Sequence, residues 1–349
     1  MARKAEGLVS PNPLVGAVIA KADRVISYGY HRGPGFKHAE IEAIDNARAG
    51  LKGGVLYVNL EPCCHWGRTP PCVDRIISSG IKEVVISTLD PNPKVNGRSV
   101  RKLKRAGIKV RLGILQGEAE RLNEIFFKNM RHNLPFIAVK LAQSLDGKIA
   151  TKKGESKWIT SKTSRYYVRK IRDNYDAVLI GINTVLEDDP LLDGFKKSPR
   201  KVVIDPRLRI PLNCQLIKRS RNRVVIFTSV SGKSRKAKKL GQEGVNLFFL
   251  KKTSRHMAIN DILRVLYKED IMSVLVEGGA VTAGNFFDAK AVDKLYIFVA
   301  PKIIGGQESL SALGGLGIEK LAEATVIDHL RLKRIDQDLL FFGYPKFYD

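Results

Sequence analysis

Cysteine is scarce in this sequence of 349 residues, which contains only four. Three of them, Cys63, Cys64 and Cys72, lie within ten positions of one another, whereas a disulfide framework distributes its cysteines along the chain. This pattern argues against a secreted, disulfide-rich protein. It favours a metal site in a reducing compartment, and we therefore expect a cytoplasmic location.

Long apolar segments are also absent. No stretch approaches the ~20 consecutive apolar residues that a membrane span requires, and Met1–Gly7 lacks the apolar core of a signal peptide. Neither internal repeats nor low-complexity segments occur. We therefore expect a globular protein that does not interact with membranes, and the length is sufficient for two domains.

Acidic residues are outnumbered, with 35 Asp and Glu against 60 Lys and Arg, a formal net charge of +25. Residues 1–133 carry 22 basic and 12 acidic side chains, and residues 134–349 carry 38 and 23, so both parts are basic. Local basic clusters occur at positions such as 196–201 and 233–239. An excess spread in this way favours attraction of anionic metabolites over a specific nucleic-acid groove.

Strand-like and helix-like patterns alternate throughout residues 1–133, which predicts an α/β layered domain. The predicted strands are Leu14–Ile19, Arg24–Tyr30, Val55–Leu60, Glu83–Thr88 and Lys109–Leu112, and the predicted helices are His38–Ala49, Pro71–Ser79 and Val100–Ala106. The polar segment 128–133 and Leu134-Pro135 then mark a boundary, so we expect a first domain at 1–133 and a second at 134–349.

The second domain is also predicted to be α/β. Its predicted strands are Phe136–Leu141, Ala177–Ile180, Lys201–Ile204, Arg223–Phe227, Val245–Leu250, Ser273–Val276 and Lys294–Val299, and its predicted helices are Ser161–Asp173, Ile259–Tyr267 and Val281–Phe287. Two glycine turns, at 278–279 and 305–306, follow predicted strands. Neither has the Gly-x-Gly-x-x-Gly spacing, so a Rossmann domain is not supported.

The most informative pattern is His38-Ala39-Glu40, followed by Pro62-Cys63 and then Cys72. One histidine and two cysteines supply three zinc ligands and leave a fourth position for water. A glutamate two residues after the histidine suits general acid/base catalysis, and this combination is typical of zinc deaminases of nucleobases. The alternative, a helix-capping His38 beside buried structural cysteines, is much less favoured.

Cys63 and Cys72 are separated by eight residues, where most cytidine deaminases have two. With Gly67-Arg68-Thr69-Pro70-Pro71-Cys72, Pro11-Asn12-Pro13 and Asp90-Pro91-Asn92-Pro93, this loop resembles the deaminase half of the bifunctional riboflavin-biosynthesis deaminase–reductases. The resemblance implies a cytidine-deaminase-like three-layer domain in which Asn12, His31 and Arg68 bind the substrate. Members usually have a full helix before Pro-Asn-Pro, so we expect Ala2–Glu6 to be the end of a shortened first helix.

The second half resembles the reductase of the same family, which is similar in fold to dihydrofolate reductase. The resemblance rests on Val139–Lys148, Trp158–Ser161, Gly181–Val185, Asp188–Pro190 and Glu277–Gly279. It implies NADPH as cofactor and a homo-oligomer assembled through this domain. It also implies two sets of site residues: Lys140, Asp188 and Glu277 at the substrate, and Thr160, Ser161, Gly181, Gly278 and Gly279 at the cofactor.

The expected function is therefore two steps of riboflavin synthesis on a phosphorylated pyrimidine. The first is deamination of 2,5-diamino-6-ribosylamino-4(3H)-pyrimidinone 5′-phosphate, and the second is NADPH-dependent reduction of the product's ribosyl group to ribityl. Three alternatives remain open at this point: a chain in which only one domain, preferentially the reductase, is active; a deaminase of nucleic-acid bases; and a zinc-binding regulator without turnover.

Overall fold

The computed structural model describes residues 1–48, 50–66, 70–253 and 256–347. The chain divides into two compact units, Met1–Asn133 and Leu134–Asp349. Among the described residues, no helix is both long enough and apolar enough to cross a membrane.

The first unit is built around a five-stranded sheet. It begins with a single 3-10 turn at Ala2–Ala5, whose Ala2 and Ala5 are buried. Its elements are β1 (Gly16–Lys21), β2 (Arg24–Tyr30), α1 (Ala39–Asp45), β3 (Val55–Leu60), α2 (Cys72–Ser78), β4 (Glu83–Thr88), α3 (Arg98–Arg105), β5 (Lys109–Leu112), α4 (Gln116–Leu122) and α5 (Glu124–His132). The strand order is β2-β1-β3-β4-β5, with β3, β4 and β5 parallel and β1 antiparallel to both its neighbours.

Helices cover both faces of this sheet and make three layers. Alternating residues of the strands, such as Ile19, Leu56 and Ile86, point to one face and pack with α1, α2 and α3. Helix α4 packs against β3 and β4, and α5 follows it. Because β3 and β4 are parallel, their carboxyl ends lie at one edge, and the loops that follow them meet there.

The second unit contains a nine-stranded sheet. Its elements are β6 (Phe136–Ser144), α6 (Lys162–Arg172), β7 (Ala177–Gly181), α7 (Ile182–Asp188), β8 (Arg200–Ile204), α8 (Gln215–Ser220), β9 (Val224–Thr228), α9 (Arg235–Gln242), β10 (Asn246–Phe249), β11 (Lys252–Thr253), β12 (His256–Met257), α10 (Ile259–Lys268), β13 (Ser273–Val276), α11 (Ala280–Asp288), β14 (Lys294–Ala300), β15 (Val326–Ile335) and β16 (Asp338–Lys346). The strand order is β10-β9-β8-β7-β13-β6-β14-β16-β15, and β11 pairs only with β12.

The first seven strands in this order, from β10 to β14, are parallel to one another. At the other edge, β16 is antiparallel to both β14 and β15. The central parallel strands β6, β7, β8, β9 and β13 are largely buried, and two hydrophobic clusters lie on them. Strands covered by helices on both faces are apolar at nearly every position, which explains why the continuous runs of this unit predicted strands.

Most predicted elements end one or more residues away from the predicted position, and two of these differences have a clear cause. The first strand begins at Gly16 rather than at Leu14, because the Leu14 N–H donates to Asn123 Oδ1 and its carbonyl accepts from the side chains of Asn59 and Asn123. The first helix ends at Asp45, where Asn46 turns its side-chain amide to the carbonyl of Tyr28. The remaining predicted end of that helix, Ala49, lies outside the described residues.

Candidate functional site: a His/Cys cluster and a buried charge cluster

Three ligand-type side chains meet at the edge of the first sheet. His38 immediately precedes α1, Cys63 follows β3, and Cys72 is the first residue of α2. His38 Nδ1 lies 3.1 Å from Cys72 Sγ and 3.6 Å from Cys63 Sγ, and the ligand atoms of the three residues all lie within 4.8 Å of one another. Ligand atoms of a tetrahedral zinc site are about 3.6 Å apart, so this donor set fits one zinc ion.

The two cysteines are chemically unequal. The Cys72 backbone N–H donates to Cys63 Sγ at 3.3 Å. A hydrogen bond from the Cys72 thiol lowers the pKa of Cys63 to about 4 despite its burial, and the hydrogen bond with His38 acts in the same direction. The same partnership raises the pKa of Cys72. The surroundings of Cys63 therefore favour its thiolate, the form in which cysteine binds metals.

Glu40 lies in the first turn of α1, two residues from His38, and is only 3% exposed. Burial, together with the negative charge of Cys63, raises the pKa of Glu40 to about 7. A carboxyl group with this pKa exists in both protonation states near neutral pH. It can therefore accept a proton and release it again, as general acid/base catalysis requires.

Asn12 and His31 form a hydrogen-bonded pair beside the ligand cluster. Asn12 Nδ2 lies 2.9 Å from His31 Nε2, and His31 Nδ1 lies 3.1 Å from the carbonyl of Lys37. This arrangement requires a neutral ring with its proton on Nδ1, consistent with burial that lowers the pKa of His31. His31 also packs edge to face on His38, with 5.6 Å between ring centroids.

Glu61, which sequence reasoning left without a role, anchors the loop that leads to Cys63. Its buried carboxylate accepts four backbone N–H groups: Asp90 and Gly97 on Oε2, at 3.3 and 2.9 Å, and Ser99 and Val100 on Oε1, at 3.0 and 3.3 Å. The Ser99 hydroxyl donates to the carbonyl of Pro62 at 2.5 Å. Glu61 thus caps α3 and fixes the loop after β4 beside the ligand cluster.

Arg68, predicted to bind the substrate, lies outside the described residues. Cys64 does not join the ligand cluster. Its thiol approaches the carbonyl of Lys94 at 3.7 Å instead.

In the second unit, Lys140 and Glu277 are brought together with Arg172, which sequence reasoning missed. Arg172 Nε and Nη2 donate to the two carboxylate oxygens of Glu277 at 2.6 and 3.0 Å, and Lys140 Nζ lies 3.8 Å from Glu277 Oε2. Their side chains are between 6% and 18% exposed. Burial lowers the pKa of Lys140; burial alone would raise that of Glu277, but the charge of Arg172 keeps it below the ordinary value.

The predicted cofactor glycines lie directly beside this charge cluster, at the carboxyl ends of the neighbouring strands β7 and β13. A methyl group on Gly181 would lie 2.5 Å from Thr282 Oγ1, and one on Gly278 would lie 2.4 Å from Thr282 Cβ. Because these two positions lack a side chain, α11 can pack directly against the ends of β7 and β13. Gly279 is different, since no atom lies within 4 Å of the position of its missing Cβ.

Gly279 also precedes α11, whose first turn has no acidic residue and no side-chain cap. The first backbone N–H groups of α11 have no side-chain cap, and the space at Gly279 is open. A phosphate group can accept hydrogen bonds from these N–H groups, and the positive end of the helix dipole favours its negative charge. The residues present therefore fit the pyrophosphate of a dinucleotide cofactor.

The remaining predicted residues occupy a second segment. The Ser161 N–H donates to Asp338 Oδ2 at 2.8 Å, its hydroxyl caps α6, and Thr160 is buried with its carbonyl bonded to Arg165. Asp188, at the end of α7, forms an ion pair with Lys157 at 3.0 Å. The structure thus ties Asp188 to the segment before Thr160 and Ser161, and not to Lys140.

Comparisons with known proteins match both units. The model of the cytidine and deoxycytidylate deaminase zinc-binding region matches residues 1–88, and that of the RibD C-terminal domain matches residues 135–341. The riboflavin biosynthesis protein RibD of Aquifex aeolicus is 42% identical over 98% of this chain and 95% of its own length, and that of Escherichia coli is 36% identical over 97% and 95%.

Solved structures agree. RibD of Acinetobacter baumannii superposes with a TM-score of 0.87 at 33% identity, covering 99% of this chain and 96% of that one. The Thermotoga maritima diaminohydroxyphosphoribosylaminopyrimidine deaminase/5-amino-6-(5-phosphoribosylamino)uracil reductase gives 0.86 at 37%, covering 99% and 95%. The predicted fold class is confirmed, and the predicted cofactors are confirmed as zinc for the deaminase and NADPH for the reductase. The chain therefore belongs to the RibD family and is a bifunctional deaminase and reductase of riboflavin biosynthesis.

Proposed function

We propose that residues 1–133 deaminate 2,5-diamino-6-ribosylamino-4(3H)-pyrimidinone 5′-phosphate at C2. Residues 134–349 then reduce the ribosyl group of 5-amino-6-(5-phosphoribosylamino)uracil to ribityl with NADPH. The name of the Thermotoga maritima relative supports both substrates. The observation that carries the first step is the cluster of His38, Cys63 and Cys72 with a buried carboxyl group, Glu40, beside it.

In the deaminase, His38, Cys63 and Cys72 are the zinc ligands. Zinc held by three protein donors supplies a water molecule of lowered pKa at its fourth position. With zinc bound, Glu40 would take one proton of that water and give it to the ring nitrogen double-bonded to C2 as the water oxygen adds to C2. Glu40 would then pass the second proton to the amino nitrogen, so that the C2–N bond breaks and ammonia leaves as the C2 carbonyl forms.

Three further residues bind the pyrimidine substrate. Because the Asn12 amide nitrogen donates to His31, its Oδ1 is oriented to accept a hydrogen bond from an N–H of the ring. His31 acts through this contact and through its packing on His38. Arg68, in the loop between the two cysteines, binds the substrate phosphate, for which a guanidinium provides a bidentate donor pair.

In the reductase, Lys140 and Glu277 face the amino-sugar end of the substrate. The ribose ring first opens to the imine: the C1–O4 bond breaks and O4 takes the proton of the sugar nitrogen. Bound NADPH would then supply the hydride for C1. Lys140, whose pKa is lowered by burial, supplies the proton that the sugar nitrogen gains, and it regains one from solvent. Arg172 holds Glu277 ionised through two hydrogen bonds, and Glu277 in turn keeps Lys140 in place.

Gly278 and Gly279, at the start of α11, and the neighbouring Gly181 would hold the NADPH pyrophosphate. Thr160, Ser161 and Asp188 would bind the nicotinamide half. Asp188 was predicted to bind the substrate, and its ion pair with Lys157 holds it beside the segment that leads to Thr160 and Ser161.

The protein acts in the cytoplasm as a homo-oligomer assembled through its reductase unit. A reducing compartment preserves the paired thiols of Cys63 and Cys72. The last strand of the large sheet, β15, lies at an edge and exposes Leu330 and Leu332 by 57% and 58%. An edge strand that exposes two leucines is a surface that a second copy can cover.

The test is a coupled assay on zinc-replete protein, with ammonia release and NADPH consumption followed separately. We expect both signals from the diaminopyrimidine phosphate. Glu40→Gln should lose ammonia release by at least a hundredfold and still reduce the deaminated substrate at the normal rate. Chelation of zinc should have the same selective effect.

Other results would point to the alternatives. NADPH consumption only with deaminated substrate would mean that the reductase alone is active. Deamination of bases in RNA, with no activity on the diaminopyrimidine, would replace the proposed substrate. Zinc binding without either activity would indicate a regulator.

A further inference from the structure

The carboxyl ends of four neighbouring parallel strands form one edge of the second unit. Gly181 at the end of β7 lies opposite Ile204 at the end of β8, which lies opposite Phe227 near the end of β9. Strand β13, which leads to Gly279, is on the other side of β7. The loop after β8, residues 205–210, therefore lies two strands from the proposed pyrophosphate position.

This loop is held in one shape. The buried Asp205 accepts the N–H of Ile210 on Oδ2 at 2.8 Å, and its carbonyl accepts the N–H of Leu208 at 3.0 Å. Leu208 has a φ of 51° and is buried, as is Ile210. The alternate residues, Arg207 and Arg209, are consequently exposed to solvent.

The two guanidinium groups lack acidic partners. Among the described residues, neither Arg207 nor Arg209 forms a salt bridge. Arg209 Nη2 instead donates to Asn183 Oδ1 at 2.5 Å, which holds it beside the end of β7. The Ser229 N–H donates to the carbonyl of Pro206 at 3.1 Å and brings the loop after β9 alongside.

We propose that Arg207 and Arg209 bind the 2′-phosphate of NADPH and thereby select it over NADH. The proposal rests on the proposed reductase function of this unit. Strands are spaced by about 4.8 Å, so the loop is roughly 10 Å from Gly279 along the sheet edge. That separation suits a second phosphate of the same dinucleotide better than the pyrophosphate itself.

The chemistry of the two side chains supports the same assignment. A phosphate monoester is a dianion at neutral pH, and the planar guanidinium fork matches its oxygens in a bidentate manner. NADH carries a hydroxyl at this position and gains nothing from two cations. The two arginines therefore raise the affinity for NADPH and leave that for NADH unchanged. This difference in affinity is the specificity of the site.

The first test compares steady-state reduction of the deaminated substrate with NADPH and NADH in Arg207→Ala, Arg209→Ala and the double variant. We expect each single change to raise KM for NADPH about tenfold or more, the scale of a lost charge-assisted hydrogen bond, with kcat unchanged. KM for NADH should not change. The matched control is Arg264→Ala, an exposed arginine on α10 that pairs with Asp261, which should leave both values unaltered.

The second test measures binding without turnover, using adenosine 2′,5′-bisphosphate and adenosine 5′-monophosphate as probes. Wild type should bind the bisphosphate more tightly, and the double variant should bind both equally. Unchanged preference in the double variant, or an equal loss for NADPH and NADH, would overturn the assignment. If wild type fails to reduce the substrate but prefers the bisphosphate and the double variant does not, the reductase function fails while the phosphate site stands.

Discussion

At the scale of single residues, the buried carboxylate of Glu61 in the deaminase unit must accept four backbone N–H groups at once. Replacement by glutamine keeps the volume but turns an amide nitrogen toward backbone N–H groups, either at Asp90 and Gly97 or at Ser99 and Val100. Each buried N–H left without an acceptor costs about 1–3 kcal/mol. We expect Glu61→Gln to lower deaminase kcat/KM by about tenfold or more, mainly through KM.

Zinc stoichiometry and the absorption spectrum of the cobalt-substituted protein should be unchanged in Glu61→Gln, since the three ligands remain. Those two readouts separate loop positioning from loss of the metal. The isosteric control is Glu118→Gln on the exposed side of α4. Identical kinetics for the two variants would show that Glu61 does not position the loop.

The residues predicted from the sequence and those missed differ in how far their partners lie along the chain. His38, Glu40, Cys63 and Cys72 are recognisable because metal chemistry dictates residue type and spacing. Glu61 is not, because it binds backbone N–H groups that 29 to 39 positions separate from it, and any sequence could supply them. Arg172 is one of several basic residues in its helix. Its partner Glu277 lies 105 positions later, so nothing in the neighbouring sequence distinguished Arg172 from a surface arginine.

At the scale of elements, the junction of β13 and α11 contains two adjacent glycines with different requirements. A methyl group on Gly278 would lie 2.4 Å from Thr282 Cβ, whereas one on Gly279 meets no protein atom within 4 Å. We expect Gly278→Ala to lower the melting temperature because α11 must shift. Gly279→Ala should melt normally but raise Kd for NADPH about tenfold or more, because the methyl group occupies the space above the uncapped helix start.

Differential scanning fluorimetry and NADPH fluorescence titration distinguish the two glycine variants. Gly241→Ala, at another open glycine in α9, is the control and should leave NADPH affinity unchanged. Normal NADPH affinity in Gly279→Ala would place the pyrophosphate elsewhere.

Most buried strands were predictable, because strands such as β7 and β9 are apolar along their whole length. The C-terminal hairpin of β15 and β16 was missed, since β15 is exposed at eight of its ten positions and carries charges through its centre. Its strand conformation depends on the ladder with β16 rather than on its own pattern. Helices α4 and α5 were missed for a related reason: each is short and mostly polar.

At the scale of the whole molecule, the proposed homo-oligomer leads to a prediction for β15. Leu332→Glu places a charge on the proposed contact surface, and light scattering coupled to size exclusion should show a smaller species than wild type. Arg331→Glu introduces the same residue one position away, on the other face of the strand, and should leave the mass unchanged. A monomeric wild type would refute assembly through this strand.

The order of strands in the large sheet has a consequence for synthesis on the ribosome. Strand β6 starts the second unit at Phe136, but both its ladder partners emerge much later, from Ser273 and Lys294. At about 5–20 residues per second, this strand, with six apolar residues among nine, waits on the order of ten seconds with both edges unpaired. The first unit, whose chain is complete by residue 133, can fold in that interval. A nascent-chain chaperone should therefore engage the chain between the emergence of β6 and that of β13.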